Sequence, residues 1–344
     1  MTAAILLAAG IAGFAGVQPQ LAAGGGAVYV TFAAGDVISI ARSTDGGATF
    51  AAPVALPGAG RLALGKRRGP RVAATNQAVV VAAIAGARGG GADGDLVLYR
   101  STDQGRTWAA PIVVNDVPGA AREGMHGLAA NVSGLVVLAW LDLRQKGTRI
   151  YAAVSRDHGA TWSPDRLVYT SPSGSVCECC HPSVAVADDG RMAIMFRNQV
   201  DGRRDMYVVA SRDGAAFGEP VKQGRGTWVL EACPMDGGAL ALGAGVTDAV
   251  WRREATLYAT ATRAPSATTD AEVELGPGHD PVVARIDARV DMAWTGPDGI
   301  VLRQAGGAPA PIGPGGFASI VAQPSHTLVA YERQGRVTIQ RVAR

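Results

Sequence analysis

Sulfur and imidazole crowd into one short stretch of this chain. Cys177, Cys179, Cys180 and His181 fall within Ser175-Val-Cys-Glu-Cys-Cys-His181, and the remaining cysteine, Cys233, lies in Thr227-Trp-Val-Leu-Glu-Ala-Cys-Pro-Met-Asp236. Thiolate and imidazole are donors for soft metal ions, copper first, with His126 and Met235 as further candidate ligands. The spacing C-x-C-C differs from the C-x2-C of a zinc knuckle. On an extended backbone Cys177 and Cys179 face one way and Cys180 the other, so a single tetrahedral ion would demand a sharp turn. In an exported chain the same four thiols form disulfides instead, with three pairings open, among them an adjacent Cys179–Cys180 bond.

Arginines form a second group. They recur in Lys66-Arg-Arg-Gly-Pro-Arg71, Arg122-Glu-Gly-Met-His126, Leu141-Asp-Leu-Arg144, Arg197-Asn198, Arg252-Arg253 and Glu332-Arg333. Guanidinium groups grip carboxylates through paired N–H donors, so Arg68, Arg71, Arg144, Arg197 and Arg252 are candidates for holding an anion. Asp142 is a candidate acid, and Tyr331 with neighbouring Glu332 a candidate nucleophile and its activator. Asp142 and Arg144 equally read as a structural ion pair on a rim.

The elements that must position these groups are legible as a repeat. Runs of small and β-branched residues, most ending in an aromatic, recur seven times: Val28–Phe32, Val79–Ile84, Val136–Trp140, Met192–Phe196, Asp248–Trp251, Val290–Trp294 and Leu328–Tyr331. A short strand precedes most of them, as in Gln18-Pro-Gln-Leu, Gly69-Pro-Arg-Val and Asp280-Pro-Val-Val, and another follows, as in Leu96-Val-Leu-Tyr. Four of the units then carry a turn: Ser43-Thr-Asp-Gly-Gly-Ala-Thr-Phe50, Ser101-Thr-Asp-Gln-Gly-Arg-Thr-Trp108, Ser155-Arg-Asp-His-Gly-Ala-Thr-Trp162 and a degraded Ser211-Arg-Asp-Gly-Ala-Ala-Phe217. Repeats of this kind, with a fourth strand such as Pro111-Ile-Val-Val, describe an all-β propeller of four-stranded blades. Seven blades are expected, six being the alternative because the final unit stops after its third strand.

The pattern S-x-D-x-G-x-[TA]-[WF] resembles the Asp-box of the sialidase-like BNR-repeat β-propeller superfamily. In such a turn the aspartate accepts N–H groups of its own loop, so Asp45, Asp103, Asp157 and Asp213 are structural, and His158 is expected to be a solvated turn residue. The resemblance implies an anion held by three arginines, a tyrosine nucleophile activated by glutamate, and an aspartic acid/base. It departs from true sialidases in lacking the [FY]-R-[IV]-P signature, the nearest sequence being Gly69-Pro-Arg-Val72, and in having seven repeats where sialidases have six. It implies a protein that binds an anionic glycan, with hydrolysis as an option; the alternatives are a copper-like metal or redox protein and an interaction scaffold.

Because the Asp-box turn joins the third and fourth strands, the loops between blades and after the second strands lie on the opposite face, where the cysteines and arginines fall. A net charge of +3 over 344 residues, with no basic run longer than Lys66-Arg67-Arg68, gives no sign of a nucleic-acid partner. The apolar stretch from residue 3 to 17 is too short and glycine-rich for a membrane span. Residues 1–16 read as a secretory signal, cut near Ala15, or as an outer strand at Ile5–Ala9 that closes the ring. Residues 17–344 form one domain, expected to be a monomer in a secreted or periplasmic setting.

Overall fold

The computed structural model describes residues 12–263 and 271–344. Seven antiparallel sheets form seven blades, in chain order. The first holds Val17–Gly24, Ala27–Ala34, Val37–Ser43 and Val54–Ala55; the second Arg71–Ala74, Val79–Gly86, Asp95–Ser101 and Ile112–Val113, with Arg61–Leu62 added to its edge. The third holds His126–Ala130, Val136–Asp142, Arg149–Ser155 and Arg166–Tyr169; the fourth Ser183–Val186, Met192–Arg197, Met206–Ser211 and Val221–Lys222. The fifth holds Ala239–Gly243, Val246–Arg253, Thr256–Arg263 and Val273–Pro277; the sixth His279–Ile286, Arg289–Gly296, Gly299–Arg303 and Ala310–Gly313. Gly316–Ala322, His326–Arg333 and Arg336–Ala343 build the seventh, and Ala12–Ala15 supplies its outermost strand.

That last pairing closes the ring and removes the six-bladed alternative. Ala12 stands opposite Ile339 and Ala15 opposite Arg336, while Phe14 stacks on Phe32 of the first blade with ring centroids 5.3 Å apart. Inner strands of neighbouring blades pack in sequence around the axis, the seventh against the first. The stretch Ile5–Ala9 lies outside the described residues.

Each second strand sits mid-sheet, and in the third blade Val136–Asp142 is buried throughout. Its neighbours in adjacent blades complete the packing: Trp140 joins Leu96, Leu98 and Ile84 in one cluster. Burial of such side chains is the main driving force of the ring.

The four Asp-box turns have the expected chemistry. In the second, Ser101 Oγ donates to Asp103 Oδ1 at 2.7 Å, and the Thr107 hydroxyl and N–H donate to Asp103 at 2.6 and 3.0 Å. Hydrogen bonds led by that threonine hydroxyl hold Asp45, Asp103 and Asp157 well below the usual carboxylate range. Ala216 replaces the threonine in the fourth turn, so Asp213 retains only the backbone and Ser211 donors. His158 is not simply solvated: its Nδ1 lies 3.0 Å from Thr75 Oγ1, and its carbonyl accepts from Arg100 Nε at 2.9 Å. The third turn is thereby pinned to the second blade.

Candidate functional site

At the axial mouth opposite the Asp-boxes, the first strand of three successive blades opens with the same irregularity. Gly16-Val-Gln-Pro19, Gly278-His-Asp-Pro281 and Gly315-Gly-Phe-Ala318 each carry a register shift. Gln18, Asp280 and Phe317 sit there at φ 57°, 53° and 55°, left-handed values that a non-glycine residue adopts only when its surroundings enforce them. The leading glycine allows close approach to the aromatic ending the second strand: at Gly278 a Cβ would stand 2.6 Å from Trp294 Cδ1. The bulge turns Gln18 and Asp280 inward, where both are buried.

Arg67, itself at φ 59°, extends from the loop before the second blade to the sixth and seventh. Its Nε donates to Asp280 Oδ1 at 3.0 Å, Nη2 to the Asp280 carbonyl at 2.6 Å and Nη1 to the Ala318 carbonyl at 3.2 Å. Arg71 fixes the base of this crossbar through Nη2 to the Arg67 carbonyl at 2.5 Å. Among the described residues Arg71 contacts carbonyls and no carboxylate, so a guanidinium charge is buried there without a counter-ion. Burial, then the charge of Arg67, draws its pKa down to about 9, which measures how costly that isolated charge is.

Arg67, Arg71 and His181 line an axial cavity of about 180 Å³ whose walls come from the inner strands of all seven blades. Burial followed by the charges of Arg67 and Arg71 keeps the His181 imidazole far below its ordinary pKa, hence neutral. His126 is neutral as well: burial outweighs its 3.2 Å contact to the Ala82 carbonyl and holds it at about 3.

Two carboxyl groups meet beside the crossbar. The Asp280 N–H donates to Asp236 Oδ2 at 3.0 Å, and Arg252 Nε approaches the same oxygen at 3.1 Å. Burial, reinforced by the charge of Asp280, raises Asp236 to about 6. Asp280 is buried too, yet Arg67 and His279 outweigh that cost and keep it ionised. Asp280 Oδ2 accepts from His279 Nδ1 at 2.8 Å, and the His279 side chain is 48% exposed. This is a half-exposed imidazole oriented by a buried carboxylate.

The remaining expected residues are placed differently. Arg197 is buried, and its three nitrogens donate to the carbonyls of Asp236, Arg204 and Arg252 at 3.1, 2.6 and 3.0 Å. It holds loops in place, and both it and Arg252 lie over the Trp228 ring, 5.1 and 5.2 Å from its centroid. Arg68 donates to the Glu123 carbonyl at 2.6 Å. Asp142 is the rim ion pair and not an available acid: it is buried, takes Arg144 Nε and Nη2 at 2.9 and 2.8 Å, and accepts from Trp140 Nε1 at 2.8 Å. Asp165 completes that pair from the other side. Tyr331 and Glu332 do not cooperate, because adjacent residues of a strand face opposite ways. The Tyr331 hydroxyl accepts from Gln340 at 2.8 Å inside the seventh blade, whereas Glu332 accepts the Gln18 N–H at 3.2 Å at the mouth.

The cysteines also depart from expectation. All four are free thiols. The loop after Cys177 turns sharply, so Cys177, Cys179 and Cys180 converge instead of alternating, with Cys177 Sγ 3.7 Å from Cys179 Sγ and 3.5 Å from Cys180 Sγ. Cys233 is exposed and His181 faces the axial cavity; neither joins the cluster.

A separate cavity of about 550 Å³ opens between the fourth and fifth blades. It lies at the degraded Asp-box, around Asp213 and Ala216, away from the groups above. Among the described residues no histidine or cysteine lines it.

Fold and turns together define a seven-bladed β-propeller with Asp-box turns. Residues 70–225 match the BNR repeat-like domain model. No curated protein matches the chain. Among solved structures it is similar to the alpha-L-arabinanase of Penicillium chrysogenum complexed with arabinobiose, with 15% identity, 96% of this chain and 93% of that one covered, and a TM-score of 0.55. The alpha-L-arabinofuranosidase of Fusarium graminearum shares 11% identity over 98% and 97% of the two chains, with a TM-score of 0.56. A polysaccharide lyase, an ulvan lyase, shares 11% identity over 97% and 95%, with a TM-score of 0.60. At such identities the likeness is one of fold.

Proposed function

We propose that this propeller binds an anionic glycan at the axial mouth opposite the Asp-boxes. The observation that carries this reading is the excess of guanidinium charge there. Arg67, Arg197 and Arg252 surround two carboxyl groups, of which Asp236 is raised toward neutrality and Asp280 is consumed by Arg67. Arg71 lies on the cavity wall with no carboxylate partner, and a ligand carboxylate or sulfate would supply one. The carbohydrate-active propellers of like fold support a glycan as the carrier of that anion.

The test is thermal shift and calorimetry with oligouronates, sialosides and sulfated oligosaccharides against neutral arabino-oligosaccharides. An anionic ligand raises the melting temperature and its affinity falls with salt, and Arg71→Gln abolishes the shift. Absence of any shift from the anionic panel, with a folded protein, overturns the proposal.

The geometry of His279 favours a second reading, that glycan is also processed. An imidazole oriented by ionised Asp280 can move a proton at Nε2. His279→Gln would then abolish turnover of a bound anionic oligosaccharide while leaving its affinity within about twofold, as expected when an interaction acts mainly in the transition state. We further place the protein outside the cytoplasm, on the strength of the apolar run at residues 3–11, any cut falling ahead of Ala12 because Ala12–Ala15 close the seventh blade. Sequencing the N-terminus of protein recovered from the periplasm or medium tests this.

A further inference from the structure

The three converging thiols are not used by the glycan site, and their geometry is that of a ligand set. Cys177 is anchored by its N–H to the Arg197 carbonyl at 3.0 Å and by the bridge from Val176 to Asn198 in the fourth blade. The turn through Glu178 then brings Cys179 and Cys180 back, so that all three Sγ atoms lie within 4.8 Å of one another. All three residues are buried, and the Met235 thioether side chain packs against them.

Metal–thiolate bonds of roughly 2.3 Å place two sulfurs of one ion roughly 3.8 to 4.0 Å apart. The observed 3.5 and 3.7 Å need only a small expansion, whereas a disulfide needs sulfurs at about 2.05 Å. Arg204 Nη1 donates to Cys177 Sγ at 3.2 Å, which offsets the negative charge that coordinated thiolates bring into a buried site. Among the described residues no imidazole or carboxylate joins the group. Structural zinc sites take four ligands, commonly four thiolates or a mixture of thiolate and imidazole, and three thiols without a nitrogen donor fit a softer ion of lower coordination number.

We propose that Cys177, Cys179 and Cys180 form an all-sulfur site for Cu(I), closed over by Met235 and charge-balanced by Arg204. The site is separate from the mouth that takes the glycan and stands or falls without it.

Full-length protein purified anaerobically without chelator is titrated with Cu(I) against bathocuproine disulfonate. Wild type withholds one Cu(I) per chain, and X-ray absorption at the copper edge reads a sulfur shell without nitrogen. Cys177→Ser and Cys180→Ser lose this retention, Cys233→Ser keeps it, and Arg204→Met weakens it about tenfold, the size typical of groups supporting a ligand. Melting curves establish that each variant is folded. Should a cysteine variant fail to fold, stoichiometry and absorption on wild type still decide. Failure of wild type to retain copper, a nitrogen-containing shell, preference for zinc, or thiol titration showing the cluster oxidised in the anaerobic protein would each overturn the proposal.

Discussion

Asp142 has the chemistry of a catalytic acid and the surroundings of a bolt. Its carboxylate is occupied by Arg144, Trp140 and the Arg144 N–H, so removing it orphans the buried Trp140 N–H and leaves a guanidinium that is only 14% exposed with Asp165 as its one remaining carboxylate. Asp142→Ala is expected to cost about 3 kcal/mol in urea denaturation and to leave glycan affinity untouched. Loss of binding with unchanged stability would contradict this assignment. Sequence alone could not separate these roles, because they depend on what closes around the carboxylate. It also pointed to Arg68 and passed over Arg67, its neighbour in one basic run: the left-handed backbone at Arg67 sends that guanidinium across the axis and leaves Arg68 at the Glu123 carbonyl.

Protonation has a definite sign here. His126, His181 and His326 all have lowered folded-state pKa values, burial being the leading cause in each. Their contribution to stability is present above the unfolded value of about 6.5 and is lost as pH falls below it. The Asp-box carboxylates, also lowered, add a second loss below about pH 4. Asp236, raised to about 6, acts in the opposite sense and favours the folded state at low pH. Denaturant titrations from pH 8 to 3 are expected to show stability declining from near pH 6.5 and more steeply below 4. A maximum at pH 4 would mean that the carboxyl pair at the mouth outweighs the histidines.

At the scale of the element, each Asp-box is a fastener to the preceding blade. Gly47 abuts Leu328 of the seventh blade, Gly105 approaches Tyr29 of the first and Gly159 meets Val80 of the second. His326 strengthens the first of these through Nε2, 2.7 Å from the Gly46 carbonyl. Gly47 and Gly105 have nearly the same backbone, φ 85° and 81°, so alanine strains both alike. Only at Gly47 would the new Cβ collide, with Leu328 Cδ1 and Cδ2, whereas the nearest atom at Gly105 is Tyr29 Cε1 at 3.5 Å. Gly47→Ala is therefore expected to cost about 1–3 kcal/mol more than Gly105→Ala, the range of overpacking. Equal losses by chemical denaturation would show that the turn, and not the joint between blades, sets the penalty.

These turns were legible because a self-bonded loop needs serine, aspartate, glycine and threonine at fixed offsets. The bulges were legible in principle, as Gly16-Val-Gln-Pro19 and Gly278-His-Asp-Pro281 share one pattern. Phe317 in the third copy hides it, since the backbone and not the side chain is what repeats. The cysteine turn left no such trace: alternation is the rule for extended chain, and nothing in Cys-Glu-Cys-Cys announces that the backbone reverses.

For the whole molecule, blade number and face assignment followed from the spacing of the repeats, but closure did not. The last unit looked a strand short because its fourth strand lies more than 320 residues away in sequence, at Ala12–Ala15. Removal of residues 1–15 is expected to lower the melting temperature and to promote self-association, since it strips Phe14 from Phe32 and opens the edge of Arg336–Ala343. Calorimetry with size-exclusion chromatography checks both. An unchanged, monomeric truncated protein would show that the contact between the inner strands of the first and seventh blades suffices.

That clasp also sets an order of events during synthesis. Ala12–Ala15 leave the ribosome before every other described strand yet have no strand partner until Arg336–Ala343 exist, so they are seated last. Throughout that interval a protease, a chaperone or a secretion machinery can capture the leading segment, and whichever acts first decides whether the ring is sealed with it or without it.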